Sequence, residues 1–226
     1  MCGFLLAWAL LLFMLAAAVY GMAGNGELLA RKMLAYAPPE TTGLPEKEYP
    51  AVGRMTADYL TGREELFQHT FSDAEGNTYL CFQPHEQAHM ADCRELILLA
   101  GTLRLVFGAA VFVLAGAGFL CRRSKLFAKS ILAGLGAAGI LCSVILLWAA
   151  IDFDSFFTAF HRLAFTNDGW LLDPRTDLLI RLMPADFFMA LGARLVLWML
   201  AAAAAAGMTA WLIIKRRNGS VSQETL

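Results

Sequence analysis

Residues 96–120 read LILLAGTLRLVFGAAVFVLAGAGFL, a run in which Arg104 is the only charged side chain. A helix that crosses the hydrocarbon core of a bilayer needs about 20 consecutive apolar residues, and this run is longer than that. An amphipathic helix of a soluble protein would instead place polar residues along one face. The run therefore predicts a membrane-spanning helix. Because an ionised group is costly in lipid, we expect Arg104 to face the helix bundle, with a structural or headgroup-binding role.

Three further runs of the same character divide the rest of the chain. The predicted spanning helices are residues 4–23, 96–120, 126–150 and 188–214. The segments between and after them are residues 24–95, 121–125, 151–187 and 215–226. Hydrophobic residues make up 58% of the 226, more than a soluble domain usually carries. The sequence thus predicts an α-helical polytopic membrane protein with four transmembrane helices.

The distribution of charge predicts how the chain is oriented. Lys and Arg beside spanning helices are retained in the cytoplasm, and they cluster in the 121–125 loop and at the start of the 215–226 tail. Both termini are then cytoplasmic, and segments 24–95 and 151–187 are extracytoplasmic. Of the 19 acidic residues, all but Glu224 lie in those two outer segments, so the net charge of −1 conceals a strong asymmetry.

Two features of this layout stay open in the sequence. The first run is compatible with a cleaved secretory signal, although it exceeds the apolar region of about 7–15 residues in such signals and no Lys or Arg precedes it. Cys81 and Cys93 share the first outer segment, where an oxidising compartment would permit a disulfide. The sequence decides neither point.

The first outer segment is predicted to be a small α+β domain with one helix and a β-hairpin. The first spanning helix is expected to continue through Met33. Residues 49–60 have helical spacing of apolar side chains. Residues 66–71 and 78–82 flank the turn sequence DAEGN, which is typical of a hairpin.

The second outer segment is predicted to be an aromatic loop. It is rich in Phe and Asp and carries Trp170, with phenylalanines that suit the headgroup level of a membrane. The segment is too short to form a core of its own. We expect it to pack against the first outer segment.

Residues 85–89 read HEQAH and match the H-E-x-x-H pattern of helical zinc sites. On that interpretation His85 and His89 bind zinc, Glu86 activates a water molecule, and His161 or an aspartate supplies a third protein ligand. Pro84 would begin the helix. The pattern makes a membrane zinc metalloprotease one candidate function, whereas a solvated His85 in a loop is the plainer interpretation.

The same stretch supports a second interpretation in which His89 acts without a metal. Asp92 follows three residues later, on the same side of a helix, and could orient the imidazole. His161, in the sequence FFTAFH, lies among aromatic residues that suit either a structural or a catalytic histidine. Asp173 and the proline after it indicate a turn.

Taken together, residues 86–92 and 156–188 resemble the lipoprotein intramolecular transacylases, the Lit family of four-span bacterial membrane proteins. By motif position, the resemblance implies that His89 and His161 are the catalytic pair. The chain departs from the family pattern at Cys93, where an aliphatic residue is expected, and at Ala164, where a phenylalanine is expected. The supporting or substrate-binding residues that we predict beside the pair are Glu86, Asp92, Arg104, Asn167, Asp168, Trp170, Asp173 and Asp177.

The resemblance also implies a reaction. An acyl chain moves from the diacylglyceryl group of a bacterial lipoprotein's N-terminal cysteine to that cysteine's own α-amine, leaving a lyso-form lipoprotein. The implied enzyme is an intramolecular O-to-N acyltransferase of the bacterial cytoplasmic membrane. Its active site is extracytoplasmic, it contacts membrane lipids, and it uses neither a cofactor nor a metal and binds no nucleic acid.

Two histidines suit such a reaction. An α-amine has a pKa of about 7.7–8.0 and needs a base before it can attack an ester. The departing glyceryl oxygen needs a proton, which a second histidine could donate. The sequence does not assign the two roles. The alternatives are the zinc metalloprotease and a non-enzymatic membrane protein that binds a partner through its acidic outer surface.

Overall fold

The computed structural model describes residues 1–72, 76–120 and 124–223. Parts of three predicted features therefore lie outside the described residues. These are residues 73–75 of the hairpin turn, residues 121–123 of the short loop and residues 224–226 of the tail.

Helices dominate the described chain, with one short pair of strands. In chain order the elements are α1 (Cys2–Ala23), α2 (Gly26–Tyr36), α3 (Pro39–Thr42), a 3₁₀ turn (Glu46–Glu48), α4 (Tyr49–Leu60), β1 (Thr70–Ser72), β2 (Thr78–Leu80), α5 (Pro84–Leu120), α6 (Ser124–Ile151), α7 (Phe153–Ala164), α8 (Leu178–Leu182) and α9 (Ala185–Gln223).

Four of these helices are long and apolar enough to cross a membrane: α1, α5, α6 and the Ala185–Arg216 part of α9. They contain the four predicted runs, and the chain is a multi-pass membrane protein. Helix α5 has 37 residues, so at a rise of about 1.5 Å per residue it is about 55 Å long. The hydrocarbon core of a bilayer is only about 30 Å thick. The polar, histidine-bearing start of α5 precedes its apolar run.

The first spanning helix does not continue through Met33 as predicted. It ends at Ala23, and the separate helix α2 begins at Gly26. The physical reason is Asn25, whose side-chain oxygen accepts a hydrogen bond from the Leu28 amide at 2.9 Å. Asparagine is among the best residues for capping a new helix in this way.

The helix and hairpin predicted for the first outer segment are both present. Helix α4 has the predicted bounds. Strands β1 and β2 pair antiparallel, with Phe71 opposite Tyr79, although each strand is shorter than the stretch that predicted it. The α+β character of this segment is thus limited to a two-stranded sheet beside short helices.

The chain divides into two compact units. One, here called the membrane unit, comprises Met1–Ala17, Thr102–Ile151 and Leu195–Leu226. The other, here called the histidine unit because it contains all four histidines, comprises Ala18–Gly101 and Asp152–Arg194.

The membrane unit packs through small residues. A Cβ atom added at Gly3 would lie 2.3 Å from the Phe127 carbonyl oxygen, and one at Gly134 would lie 2.9 Å from the Phe4 carbonyl oxygen. Helices α1 and α6 therefore approach closely where glycine removes the side chain, as is usual where lipid gives little hydrophobic drive. Arg104 belongs to this unit and is half-buried.

The histidine unit has a core drawn from both outer segments. Phe67 and Phe82 of the first segment cluster with Leu182 and Phe187 of the second. The prediction that the second segment packs against the first is confirmed. Cys81 lies in this core as a free thiol, and Cys93 is free as well, so the disulfide considered from the sequence is not formed. Burial and the nearby carboxylates raise the pKa of Cys81 to about 12.

Candidate active site

Glu86 joins the start of α5 to the start of α8. Its side chain is fully buried. One carboxylate oxygen accepts a hydrogen bond from the Gln83 amide at 2.6 Å, and the other accepts one from the Leu179 amide at 2.7 Å. The first bond has the form of a capping box, in which a glutamate in the first turn satisfies the amide just before the helix. The second bond spans the two outer segments.

Asp177 makes a second link between the same two helices. Its buried carboxylate accepts hydrogen bonds from the Asp173 amide and the Thr176 hydroxyl, and it pairs with His85 Nε2 at 2.9 Å. Burial alone would raise the pKa of Asp177, but these hydrogen bonds together lower it. His85 was expected in a loop, whereas it lies in the first turn of α5, which begins at Pro84 as predicted.

The two histidines predicted to be catalytic lie side by side. His89 is one helical turn beyond His85 on α5, and His161 lies near the end of α7. They are 8% and 7% exposed, and their ring centroids are 6.0 Å apart with the planes inclined at 32°. His89 and His161, which are far apart in the sequence, thus form one buried pair within the histidine unit.

Aromatic side chains surround His161. The nearest ring centroids lie between 4.2 and 5.5 Å away and belong to Phe157, Phe160, Phe165 and Trp170. Phe165 also contacts His89, edge-on at 5.1 Å. Burial lowers the pKa of His161, against a smaller opposing effect of its hydrogen bond to the Phe157 backbone.

That hydrogen bond determines which nitrogen of His161 is available. His161 Nδ1 lies 2.8 Å from the Phe157 carbonyl oxygen. A carbonyl oxygen can only accept, so Nδ1 carries the hydrogen, and in a neutral ring the lone pair is then on Nε2. His161 therefore offers Nε2 as a base.

The surroundings of His89 differ from those expected. Asp92, predicted to orient the His89 imidazole, forms no hydrogen bond with it in the described chain and accepts one from Asn167 Nδ2 at 3.0 Å. His89 Nε2 faces Cys93 Sγ at 3.6 Å, one turn further along the same face of α5. His89 Nδ1 is buried and has no hydrogen-bond partner among the described residues.

The remaining predicted residues do not all belong to this site. Trp170 contacts His161 at a centroid distance of 5.0 Å. Asp168 is exposed, and Asp173 is paired with Arg175 at 2.7 Å, which lowers the pKa of Asp173. Within the part of the chain that the structure describes, neither carboxylate bonds to a histidine of the pair. Arg104 belongs to the membrane unit.

The arrangement of the HEQAH stretch does not suit a zinc protease. Such an enzyme needs Glu86 to polarise a water molecule, but both of its oxygens are occupied by backbone amides. His85 turns towards Asp177, whereas His89 faces His161. Across the described ranges, no three His, Cys, Asp or Glu side chains are grouped to hold a metal ion.

Two parts of the site were not predicted from the sequence. Cys93 was noted only as a departure from a family pattern, although its spacing of four residues from His89 places the two on one helical face. The Phe157 carbonyl was not considered. It lies one turn before His161 within α7, and because a carbonyl oxygen has two lone pairs it can accept the His161 side chain in addition to a helical amide.

Comparison with known proteins shows that the chain is similar to an enzyme family. The model of a family described as lipoprotein intramolecular transacylase Lit matches residues 4–188. A solved structure of the membrane-integral lipoprotein intramolecular transacylase Lit from Bacillus cereus is similar, with 18% identity, 96% of each chain covered and a TM-score of 0.75.

Two variants of that Bacillus cereus protein are similar as well. The variant with a histidine replaced by arginine has 18% identity, coverage of 96% of this chain and 93% of its own, and a TM-score of 0.70. The variant with a histidine replaced by alanine has 17% identity, coverage of 96% and 94%, and a TM-score of 0.72. These likenesses establish a shared fold. No curated protein sequence matches the chain.

Proposed function

This chain belongs to the lipoprotein intramolecular transacylase (Lit) family, and we propose that His89 and His161 catalyse its acyl transfer. The chain is thus a membrane-integral transacylase that acts on lipoproteins. In the proposed reaction, an acyl ester on the glyceryl group of an N-terminal cysteine moves to the α-amine of that cysteine. The observation that carries this proposal is the buried histidine pair, whose ring centroids are 6.0 Å apart.

His161 is the proposed base. Its Nδ1 is occupied by the Phe157 carbonyl, which leaves the Nε2 lone pair for the substrate. Because burial lowers its pKa, the ring is neutral at pH 7 and can accept a proton. As the amine attacks the ester carbonyl, its proton passes to His161 Nε2. General-base assistance of this kind is worth about 10²–10⁴-fold in rate.

His89 is the proposed stabiliser of the negative charge that develops on the carbonyl oxygen. Hydrogen-bond donors aimed at such an oxygen are often a large part of catalysis. When the tetrahedral intermediate collapses, the bond from the acyl carbon to the glyceryl oxygen breaks, and His161 returns its proton to that oxygen. The new carbon–nitrogen bond remains, so every atom and proton is accounted for within one substrate molecule.

Both reacting groups belong to the same lipidated chain end, which reduces what the protein must supply. Intramolecular reactants held in the right geometry can reach effective molarities of about 10⁵–10⁸ M. One side chain that transfers the proton, one that donates a hydrogen bond to the oxyanion, and an aromatic wall that excludes water are then sufficient without a protein nucleophile. We place the site on the extracytoplasmic side, with both termini cytoplasmic, from the clustering of Lys and Arg near 121–125 and 215–217.

The direct test uses a diacylated lipopeptide and purified protein in lipid. The product is an isomer of the substrate, so tandem mass spectrometry must locate the acyl chain on nitrogen or oxygen. We expect His161→Ala and His89→Ala each to slow the conversion by at least about 10²-fold, because each removes one catalytic group.

His69→Gln is the matched control. His69 pairs with Glu48 at 2.9 Å, and glutamine can keep a hydrogen bond there. This variant should convert the substrate at the wild-type rate. Conversion at the wild-type rate by His89→Ala or by His161→Ala would remove that histidine from the mechanism.

A further inference from the structure

We propose that Cys93 is a positioning residue that fixes the tautomer of His89, so that His89 presents an N–H at Nδ1 to the substrate. This role presupposes that His89 takes part in the acyl transfer proposed above. Cys93 would act through His89 and would not itself touch the reacting atoms.

The contact between the two side chains is direct. Cys93 Sγ lies 3.6 Å from His89 Nε2, a normal hydrogen-bond distance for sulfur. Cys93 forms no disulfide, and it is half-buried and packs against the apolar core of the histidine unit. Apolar surroundings favour the neutral thiol over the thiolate. A neutral thiol retains the hydrogen that this contact needs.

The direction of the hydrogen bond follows from what each arrangement leaves unpaired. If Cys93 donates to His89 Nε2, only the N–H at Nδ1 is without a partner in the described chain. If His89 Nε2 donates to sulfur, both the thiol hydrogen and the Nδ1 lone pair are unpaired. An sp² nitrogen is also a better acceptor than sulfur, which accepts weakly. Donation by Cys93 is therefore the favoured arrangement.

The unpaired Nδ1 of His89 then has a functional explanation. Buried polar atoms without partners are rare in folded proteins, and each one requires a reason. An N–H at this position would find its acceptor in the ester carbonyl oxygen of the substrate. His161 offers a lone pair at Nε2, whereas His89 offers an N–H at Nδ1, so the two rings present complementary groups.

The experiment measures the tautomer of His89 in the enzyme without substrate, and it measures the turnover rate separately. Wild type, Cys93→Val and Cys93→Ser are labelled with ¹⁵N-histidine and placed in lipid nanodiscs, and the nitrogen chemical shifts of His89 are recorded. Valine resembles cysteine in size but has no donor, whereas serine keeps one. Cys142→Val, at an exposed position on α6, is the control and should match wild type in both measurements.

We expect the wild type and Cys93→Ser to show a protonated Nδ1 and a bare Nε2. Cys93→Val should lose that preference, and its kcat should fall by about 2- to 10-fold, the range that loss of one neutral hydrogen bond gives. Its thermal unfolding midpoint, measured in parallel, should stay close to wild type and so exclude misfolding as the cause.

Three results would overturn the proposal. They are a wild-type His89 protonated at Nε2, a Cys93→Val variant with an unchanged tautomer and kcat, and a Cys93→Ser variant that behaves like Cys93→Val. The tautomer readings do not depend on the proposed function, since they are made without substrate. Conversely, full activity of His89→Ala would refute the catalytic role of His89 while leaving the tautomer measurement intact.

Discussion

His161 is kept neutral by its neighbours. Phe157 and Trp170 exclude water from its ring, and the Phe157 carbonyl holds its Nδ1 hydrogen. A buried histidine loses hydration of its charged form, so its pKa falls below the ordinary value of about 6.5. These contacts make His161 a base across the whole neutral range.

This environment predicts the titration of His161. Because burial lowers the pKa of His161, we expect its ring to titrate with a midpoint below pH 6.5 in the enzyme without substrate. Trp170→Ala admits water to the ring, which should raise the pKa and move the midpoint towards pH 6.5. The measurement is the ¹⁵N chemical shift of His161 between pH 4 and pH 8, because the substrate α-amine, with its own pKa of about 7.7–8.0, would dominate the pH profile of kcat/KM.

Trp198→Ala serves as the control for this prediction, because Trp198 is an exposed residue of α9 in the membrane unit. Its titration profile should coincide with that of wild type. A titration midpoint of His161 at or above pH 6.5 in the wild type would contradict the assignment of His161 as a buried, neutral base.

Helices α5 and α8 are joined at their starts by buried polar contacts. Glu86 accepts the amide of Gln83, just before α5, and the amide of Leu179 in α8. Asp177 connects the same region to His85. These contacts hold the first turns of α5 against the second outer segment. His89 lies on the next turn of α5, so the geometry of the catalytic pair depends on this junction.

Glu86→Gln tests that junction. Glutamine has one acceptor oxygen, and its NH₂ group would oppose the other backbone N–H. One buried amide would then lack a partner, which costs about 1–3 kcal/mol. We expect a lower thermal unfolding midpoint and, through displacement of α5, slower conversion of the lipopeptide.

The matched control for this change is Glu95→Gln. Glu95 lies on the same helix but is exposed, so the substitution should leave the unfolding midpoint within error of wild type. Equal midpoints for Glu86→Gln and wild type would show that the two hydrogen bonds contribute little to stability.

The molecule as a whole concentrates its acidic residues in one unit. All four histidines and all but one of the acidic residues belong to the histidine unit. Lys and Arg are retained on the cytoplasmic side of bacterial membranes, and they cluster where the membrane unit leaves its second and fourth spans. We therefore expect the histidine unit to face outwards.

Cysteine labelling in intact spheroplasts tests this orientation. In a background with Cys2, Cys121 and Cys142 replaced by serine, Glu64→Cys should react with a membrane-impermeant maleimide, because Glu64 is exposed in the histidine unit. Arg216→Cys should react only after lysis, because it lies at the predicted cytoplasmic end of the last span. The opposite labelling pattern would reverse the topology and place the catalytic pair in the cytoplasm.

Local patterns in the sequence were sufficient for the spanning helices, for helix α4 and for the hairpin. Each depends on apolar periodicity or turn residues within a few neighbouring positions, so no distant contact is needed to recognise it. The motifs around His89 and His161 were also recognised from the sequence, through their resemblance to one protein family. The separate helix α2 was missed because Asn25 was not recognised as a cap.

The roles of individual side chains depended on contacts that only the folded chain creates. Glu86 matched a zinc-protease motif but accepts the amide of Leu179, and Asp92 was expected beside His89 but binds Asn167. Both partners lie far along the sequence. Hydropathy and spacing act over a few residues, whereas the partner of a buried polar group is chosen by whichever donor the tertiary packing brings within about 3 Å.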